Sequence, residues 1–365
     1  MKDFIKKNAV MVIAFFAATI TAILVPPDKE YISYFDFKTL SCLFATLAVV
    51  CALRNIRFFR IIAAKIVSVF KNIRSAIIAL VYITFIGSML IANDMALITF
   101  LPLGYYVLKS TDNRGYMAFT FIMQNIAANL GGMLTPFGNP QNLYLYTYFD
   151  IGNAEFVKIM FLPFIVAITL ITICCLFVEK RKLVIKNCEE QTLDKKKTVI
   201  YIILFVLSIA MVFKTIPYYI GLAIVLAVLI IMDRQALKQV DYGLLLTFVF
   251  FFIFAGNMAR ISAVYNFLGW LIEKNTLLYG FLSCQIISNV PSAILLSRFT
   301  QNYRELLVAV NIGGAGTLIS SLASLITFKE FIKHEKGMAM HYIKLFTVFN
   351  FGISLTLLAI MAIVF

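Results

Sequence analysis

Two distant stretches of this chain set asparagine, glycine, proline and hydroxyl side chains inside otherwise apolar sequence. The first is Ile91-Ala92-Asn93-Asp94-Met95, followed by Asn129-Leu130-Gly131-Gly132-Met133-Leu134-Thr135-Pro136-Phe137-Gly138-Asn139-Pro140-Gln141-Asn142. The second is Ile287-Ser288-Asn289-Val290-Pro291, followed by Asn311-Ile312-Gly313-Gly314-Ala315-Gly316-Thr317-Leu318-Ile319-Ser320-Ser321. A helix interrupted in this way leaves free N–H groups where one half starts and free carbonyls where the other ends. The N–H ends favour anions through their partial positive charge, while the carbonyl ends, helped by Asn and Thr side chains, suit a cation. Such sequence is tolerated at membrane depth only where it is buried in protein or lines a cavity. Paired interruptions at matching places in two halves point to the substrate site of a secondary transporter.

The candidate substrate- and ion-binding residues are therefore Asn93, Asp94, Ser288 and Asn289 at two tips, with two groups at the breaks. Thr135, Pro136, Gly138, Asn139 and Asn142 belong to the first break; Gly314, Thr317, Ser320 and Ser321 belong to the second. Asp94 is the sharpest of them, because a carboxylate at membrane depth is costly unless it is paired or protonated. That makes it a proton carrier in prospect, with a local hairpin cap as the structural alternative. The other polar groups also have a structural reading, in which they cap the breaks and pack small residues between helices.

Membrane embedding follows from composition. Hydrophobic residues make up 62% of the 365-residue chain and charged residues only 14%, and apolar segments about 20 residues long recur throughout. Segment 9–25 reads as a retained span, since Val25-Pro26-Pro27-Asp28 is a poor cleavage site. The net charge of +14 lies in short connections, among them Lys2, Lys6 and Lys7, Arg54, Arg57 and Arg60, Lys180 to Lys186, Lys195 to Lys197, and Lys329 to Lys344. This is the positive-inside pattern; it excludes a nucleic-acid partner and allows contact with anionic membrane lipid. The six cysteines lack metal-ligand spacing and the two histidines lie near a basic loop, so no metal and no cofactor are expected. No His–Asp or Cys–His pair stands within the spans, which argues against an enzyme.

The elements that must position these residues follow from length and charge. With the amino terminus cytoplasmic, 9–25 and 35–53 cross, and the basic stretch 54–74 lies on the inner surface as an amphipathic helix. Segment 75–108 reads as a re-entrant hairpin, 116–149 as a broken helix, and 156–178 as a returning span. After the cytoplasmic loop and linking helix of 179–213, spans 217–232 and 242–257, a surface helix 258–275, a hairpin 276–297, a broken helix 304–328 and a last span 345–364 repeat that order. The fold class is an all-α polytopic membrane protein of about nine crossings with the carboxyl terminus outside. Residues 1–178 and 214–365 form two inverted repeats, their hairpin tips meeting near the midplane.

Gly131-Gly132 with Thr135-Pro136-Phe137-Gly138-Asn139-Pro140-Gln141-Asn142 resembles the "GG-x-x-TP-x-G-x-P-x-N" signature of the ion transporter superfamily. That group includes citrate carriers, divalent anion:sodium symporters, the arsenite permease ArsB and the NhaD antiporters. Asn311 to Leu325 resembles the second-half signature, nearest to its ArsB form, and Asn93-Asp94 and Ser288-Asn289 match the hairpin tips. The resemblance covers nearly the whole chain but is not specific to a substrate. It implies a scaffold region and a transport region of two hairpins and two broken helices, elevator movement, a homodimer, and an inner (plasma) membrane location. The sodium–dicarboxylate branch carries Ser-Asn-Thr at both tips, whereas here they read Ala92-Asn93-Asp94 and Ser288-Asn289-Val290. The lost hydroxyls weaken the case for two sodium sites and a dicarboxylate. Beside the fixed charge of Asp94, three outcomes stay open: protonation when an anion binds, a neutral substrate such as arsenite, or a cation. The expected function is secondary active transport of a small inorganic or carboxylate anion, coupled to H+ or Na+. The alternatives are arsenite or antimonite efflux and sodium/proton antiport.

Overall fold

The computed structural model describes residues 8–182 and 193–365. Lys2, Lys6, Lys7 and Lys186, singled out above, and Cys188, one of the six cysteines, lie outside the described residues. The structure is nearly all helix, and the only β feature among the described residues is an isolated bridge between Asn72 and Lys182.

The first half runs α1 (Ala9–Leu24), the short α2 (Tyr31–Tyr34), α3 (Phe37–Asn55), α4 (Phe58–Ser68), α5 (Ile73–Ile91), α6 (Asn93–Ser110), α7 (Met117–Gly131), α8 (Pro140–Tyr148) and α9 (Asn153–Leu176). The second runs α10 (Lys195–Val212), α11 (Tyr218–Met232), the short α12 (Arg234–Lys238), α13 (Tyr242–Arg260), α14 (Ser262–Lys274), α15 (Thr276–Ile287), α16 (Asn289–Leu296), α17 (Tyr303–Gly313), α18 (Leu322–His334) and α19 (Ala339–Val364). Short polar side chains start many of these helices by accepting a backbone N–H: Asp36 from Thr39, Asn72 from Ser75, Asp241 from Leu244 and Asn275 from Leu278. Among the described residues, five helices are long and apolar enough to cross a bilayer: α3, α9, α13 and α19, which were expected crossings, and α5, an arm of the hairpin expected over 75–108. The other expected crossings fall to the shorter α1 and α11, to α10 with its Lys195-Lys196-Lys197 start, and to the two broken segments.

Three boundaries differ from the sequence reading. The helix expected over 54–74 is confined to α4, because Arg57 turns at φ 57° before it and Ile73 already opens α5. The second broken segment does not stop at 328. Its α18 continues to His334, whose ring stacks 3.6 Å from Tyr105 of α6 and bonds Glu330 one turn back. The last helix starts at Ala339 rather than 345, so its first turns carry Tyr342, buried against Phe331.

Two packed groups result. In one, α1 lies along α13, and α3 packs against α10, α11 and α12. In the other, α5, α6 and α7 pack together, α15, α16 and α17 pack together, and α9 and α19 brace α7 and α17. The groups meet where α16 touches α13 and where α8 and α4 touch α3. Glycine sets the tightest approaches. A methyl group on Gly131 would collide with the Phe85 carbonyl of α5, and one on Gly313 would lie 2.9 Å from Cys284 of α15.

Candidate functional site

Each tip is a reversal made by one residue. Ala92 joins α5 to α6 at φ 63°, ψ 151°, and Ser288 joins α15 to α16 at φ 76°, ψ 158°. Both are L-residues held in a region that glycine favours, a conformation that persists only where surroundings enforce it. The contact that follows the turn is the same at both tips. Asn93 Oδ1 accepts from Asp94 N at 2.9 Å, and Asn289 Oδ1 accepts from Val290 N at 2.9 Å. The arms then fold back on one another, so that a methyl group on Gly87 of α5 would meet Phe100 of α6.

The breaks repeat one another as well. After α7, residues Gly132 to Leu134 tighten into a 3-10 turn, the chain extends through Thr135, and Asn139 leads into α8. Thr135 Oγ1 donates to Met89 O at 2.8 Å, three residues before the first tip. Thr317 Oγ1 donates to Gln285 O at 3.2 Å, three residues before the second. Gln285 Oε1 also accepts from Thr317 N at 2.9 Å, and its Nε2 donates to Gly313 O at 3.0 Å. These bonds brace each hairpin against the break beside it.

Buried amides and hydroxyls join the two tips through both breaks. Asn93 Nδ2 donates to Asn129 Oδ1 at 3.2 Å, and Ser321 Oγ donates to the same oxygen at 2.8 Å. The neighbouring Ser320 carbonyl accepts from Asn289 N at 2.9 Å and from Ser288 Oγ at 3.1 Å. Across the centre, Asn311 Nδ2 donates to Asn142 Oδ1 at 2.6 Å, and Asn139 Nδ2 donates to Asn311 Oδ1 at 3.3 Å. Ser320 Oγ closes the second break through Gly314 O at 2.9 Å.

The structure therefore brings Asn93, Asn139, Asn142, Ser288, Asn289, Ser320 and Ser321 into one network, with Gly314 packed against Asn289. Thr135 and Thr317 stand at its edges as braces. Gly138 N bonds Thr135 O at 3.2 Å and packs on Gly132, and Pro136 is buried in the same turn; neither offers a side-chain polar group. Asp94 follows Asn93 but its carboxylate does not join the network, and its Oδ1 is buried with no hydrogen-bond partner. Its neighbour Met95 meets Arg54, on the last turn of α3, at 3.7 Å. Asn139 Oδ1 and Gln141 Oε1 are likewise buried acceptors without a donor.

Several central residues were not assigned a role from sequence. Asn129 and Asn311 stand within the quoted motifs, yet they are the hubs of the network. Asn125 Nδ2 lies 3.5 Å from Asn350 Oδ1 of α19, and Thr327 and Ser324 of α18 complete that cluster. The available signal was a lone amide in an apolar helix, repeated one turn apart at Asn125 and Asn129.

Four helices begin at this network, α6, α8, α16 and α18, and four end there, α5, α7, α15 and α17. Positive and negative ends of helix dipoles thus converge on one buried polar region.

A family model described as "Citrate transporter" matches residues 4–303. The chain belongs to the citrate transporter family. It is similar to an uncharacterized transporter of Methanocaldococcus jannaschii, at 35% identity over 300 residues, covering 80% of this chain and 81% of that protein. It is also similar to the inner membrane protein YbiR of Escherichia coli, at 30% identity over 312 residues, covering 82% of each. With its apolar helices, this citrate transporter family chain is a multi-pass membrane protein. The family match takes in both tips and the first break, and ends where α17 begins.

Proposed function

We propose that the chain is a secondary active transporter of a small anion, inorganic or carboxylate, with citrate the first to try. The observation that carries this reading is the single polar network joining both tips and both breaks, on which four helix amino termini converge. Backbone N–H groups at those termini would hold the anion, with Asn93, Asn139, Asn142, Asn289 and Ser321 as neutral donors. Asp94 supplies the coupling group. A buried carboxylate oxygen without a partner is best satisfied by a proton, and a protonated Asp94 no longer repels the anion.

The two repeats would enter the membrane from opposite faces in an inverted arrangement, with α5–α8 and α15–α18 carrying substrate as a unit past α1, α3, α11 and α13. The first tip lies beside the basic end of α3, through Arg54 and Met95, which suits a carrier group displaced toward that side. The positive-inside pattern supports taking that side as cytoplasmic and the carboxyl terminus as outside, while an inner-membrane location and paired copies follow the family resemblance. A second reading has its own support. Asp94 Oδ1, Asn139 Oδ1 and Gln141 Oε1 are acceptors without donors, as a sodium-binding antiporter would present.

The test is uptake of labelled citrate, phosphate and arsenite into proteoliposomes under an imposed proton or sodium gradient. Accumulation of one anion driven by the proton gradient alone supports the reading. Sodium-driven proton movement without any anion flux would replace it with the antiporter.

A further inference from the structure

A cavity of about 400 Å³ opens at the end of the molecule opposite the basic loops, away from the amide network. Its wall includes Tyr34 from the end of α2, Lys38 from the start of α3, Tyr144 and Tyr148 from α8, and Arg298 just past α16. Helices α8 and α16 both begin in the network and both end at this cavity, so the two places are joined by rigid elements rather than by loops.

The chemistry of the wall is that of a receptor for an organic anion. The Arg298 guanidinium lies 5.2 Å from the centre of the Tyr148 ring and donates through Nη2 to Tyr34 O at 3.0 Å. Its Nε is buried and has no partner, so a buried charge-assisted donor is left to be satisfied. Lys38 adds a second cation. Asp36, the acid in the wall, has its carboxylate held by Thr39 N at 2.9 Å and by Thr39 Oγ1 at the start of α3, and its single negative charge leaves the wall with one net positive charge. The carboxyl ends of α8 and α16 add negative partial charge, which the two cations outweigh. Rings of Phe35, Phe37 and Tyr148 supply apolar surface for a carbon skeleton. The volume falls within the range of small-molecule sites, about 300–1,000 Å³.

We propose that this cavity is a second anion site, taking a small aliphatic carboxylate, with Arg298 and Lys38 as its cationic residues. It does not depend on transport through the amide network and would act as a point of first capture or of regulation at that face.

The test places a reporter thiol at Thr147, which lines the cavity. The full-length Thr147→Cys protein in nanodiscs is treated with anionic sulfonatoethyl methanethiosulfonate and, separately, with the cationic trimethylammonium reagent of similar size. The same protein without the reporter gives the background. The expected result is a rate for the anionic reagent at least tenfold above the cationic one. Arg298→Gln should collapse that ratio, and Lys38→Gln should reduce it in a fold that keeps Arg298. Millimolar citrate should slow the anionic reagent while chloride at equal ionic strength does not. Equal rates for the two reagents, or equal protection by chloride and citrate, overturn the proposal. Because the reporter reads the cavity and not flux, a chain that failed every transport assay would still give the predicted ratio if the site is real. Asp94→Asn should leave the ratio unchanged.

Discussion

At the first tip Ala92 turns the chain and an acid follows the asparagine; at the second Ser288 turns it and a valine follows. The backbone geometry, the Asn Oδ1 cap and the Thr brace three residues upstream are shared. What differs is where the polar side chains go. Ser288 spends its hydroxyl on the Ser320 carbonyl and so ties the second tip to the second break. The first tip is tied through Asn93 to Asn129 instead, and its extra polar group, the Asp94 carboxylate, stays outside the network. The frame is duplicated while the charge is not, which is why the coupling role proposed above falls on the odd feature.

The largest effect should come from the odd feature. Asp94→Asn is expected to flatten the dependence of anion uptake on pH between 6 and 8. It should also cut proton-driven uptake roughly tenfold or more, about 1.4 kcal/mol in the barrier. Val290→Asn should leave the pH profile unaltered. Adding Val290→Asp to the Asp94→Asn chain sharpens the comparison: restored pH dependence would make the tips interchangeable and break it. The exposed carboxylate pairs Arg260–Asp28 and Lys214–Asp150 cannot supply such a profile. Arg260 holds Asp28 below its ordinary value of 3.8, and Lys214 does the same for Asp150. Carboxyls depressed in the folded state lend stability above the ordinary value and lose it only as pH falls through the lowered one.

Next come the hubs. Asn129→Ala strands Asn93 Nδ2, at about 1–3 kcal/mol, and takes the acceptor from the Ser321 hydroxyl, whose oxygen still accepts from Ala323 N. Asn311→Ala strands Asn142 Oδ1 and Gln141 Nε2 at a similar cost, while Asn139 Nδ2 keeps its bond to Asn129 O. Thermal unfolding in detergent should register both, and a silent Asn129→Ala would mean that the tips are held by something other than the amides. A smaller contrast is expected between the paired glycines. Gly131→Ala collides with backbone and should cost more than Gly313→Ala, whose neighbour is a cysteine side chain, with overpacking worth about 1–3 kcal/mol. The smallest contrast is at the turns. Ala92→Gly relieves a positive φ and should raise stability by up to about 1 kcal/mol. Ser288→Gly gains the same relief but loses a hydrogen bond of about that size, so its melting temperature should hardly move.

The fold class was legible from apolar run length and from the placement of Lys and Arg. The turns at Ala92 and Ser288 fall within the segments 75–108 and 276–297 because Asn and Ser interrupt long apolar runs there. Helix ends were less legible. The extension of α18 to His334 depends on a stack with Tyr105, and no local pattern announces a partner so far away in sequence. The same limit hid Asn129, Asn311 and Asn350. Each is an ordinary amide in its own helix, and only packing between α7, α17, α18 and α19 turns them into a connected set. The cavity at Arg298 was out of reach for that reason too, since its wall is drawn from four separate parts of the chain.

The lengths of the helices have a consequence for the lipid around the molecule. With about 1.5 Å of rise per residue, α9 and α19, at 24 and 26 residues, span about 36 and 39 Å. The 16 residues of α1 and 15 of α11 reach only about 24 and 22 Å. A hydrocarbon core is about 30 Å thick, so one flank of the protein exceeds it and the other falls short. The exposed Val348, Leu355 and Ile363 of α19 then call for tilt or local thickening of the bilayer, and the exposed Ile220, Ile224 and Ile231 of α11 for thinning. A bilayer fitted to these lengths would be a wedge beside the protein, and acyl-chain length would then control the sliding motion proposed above.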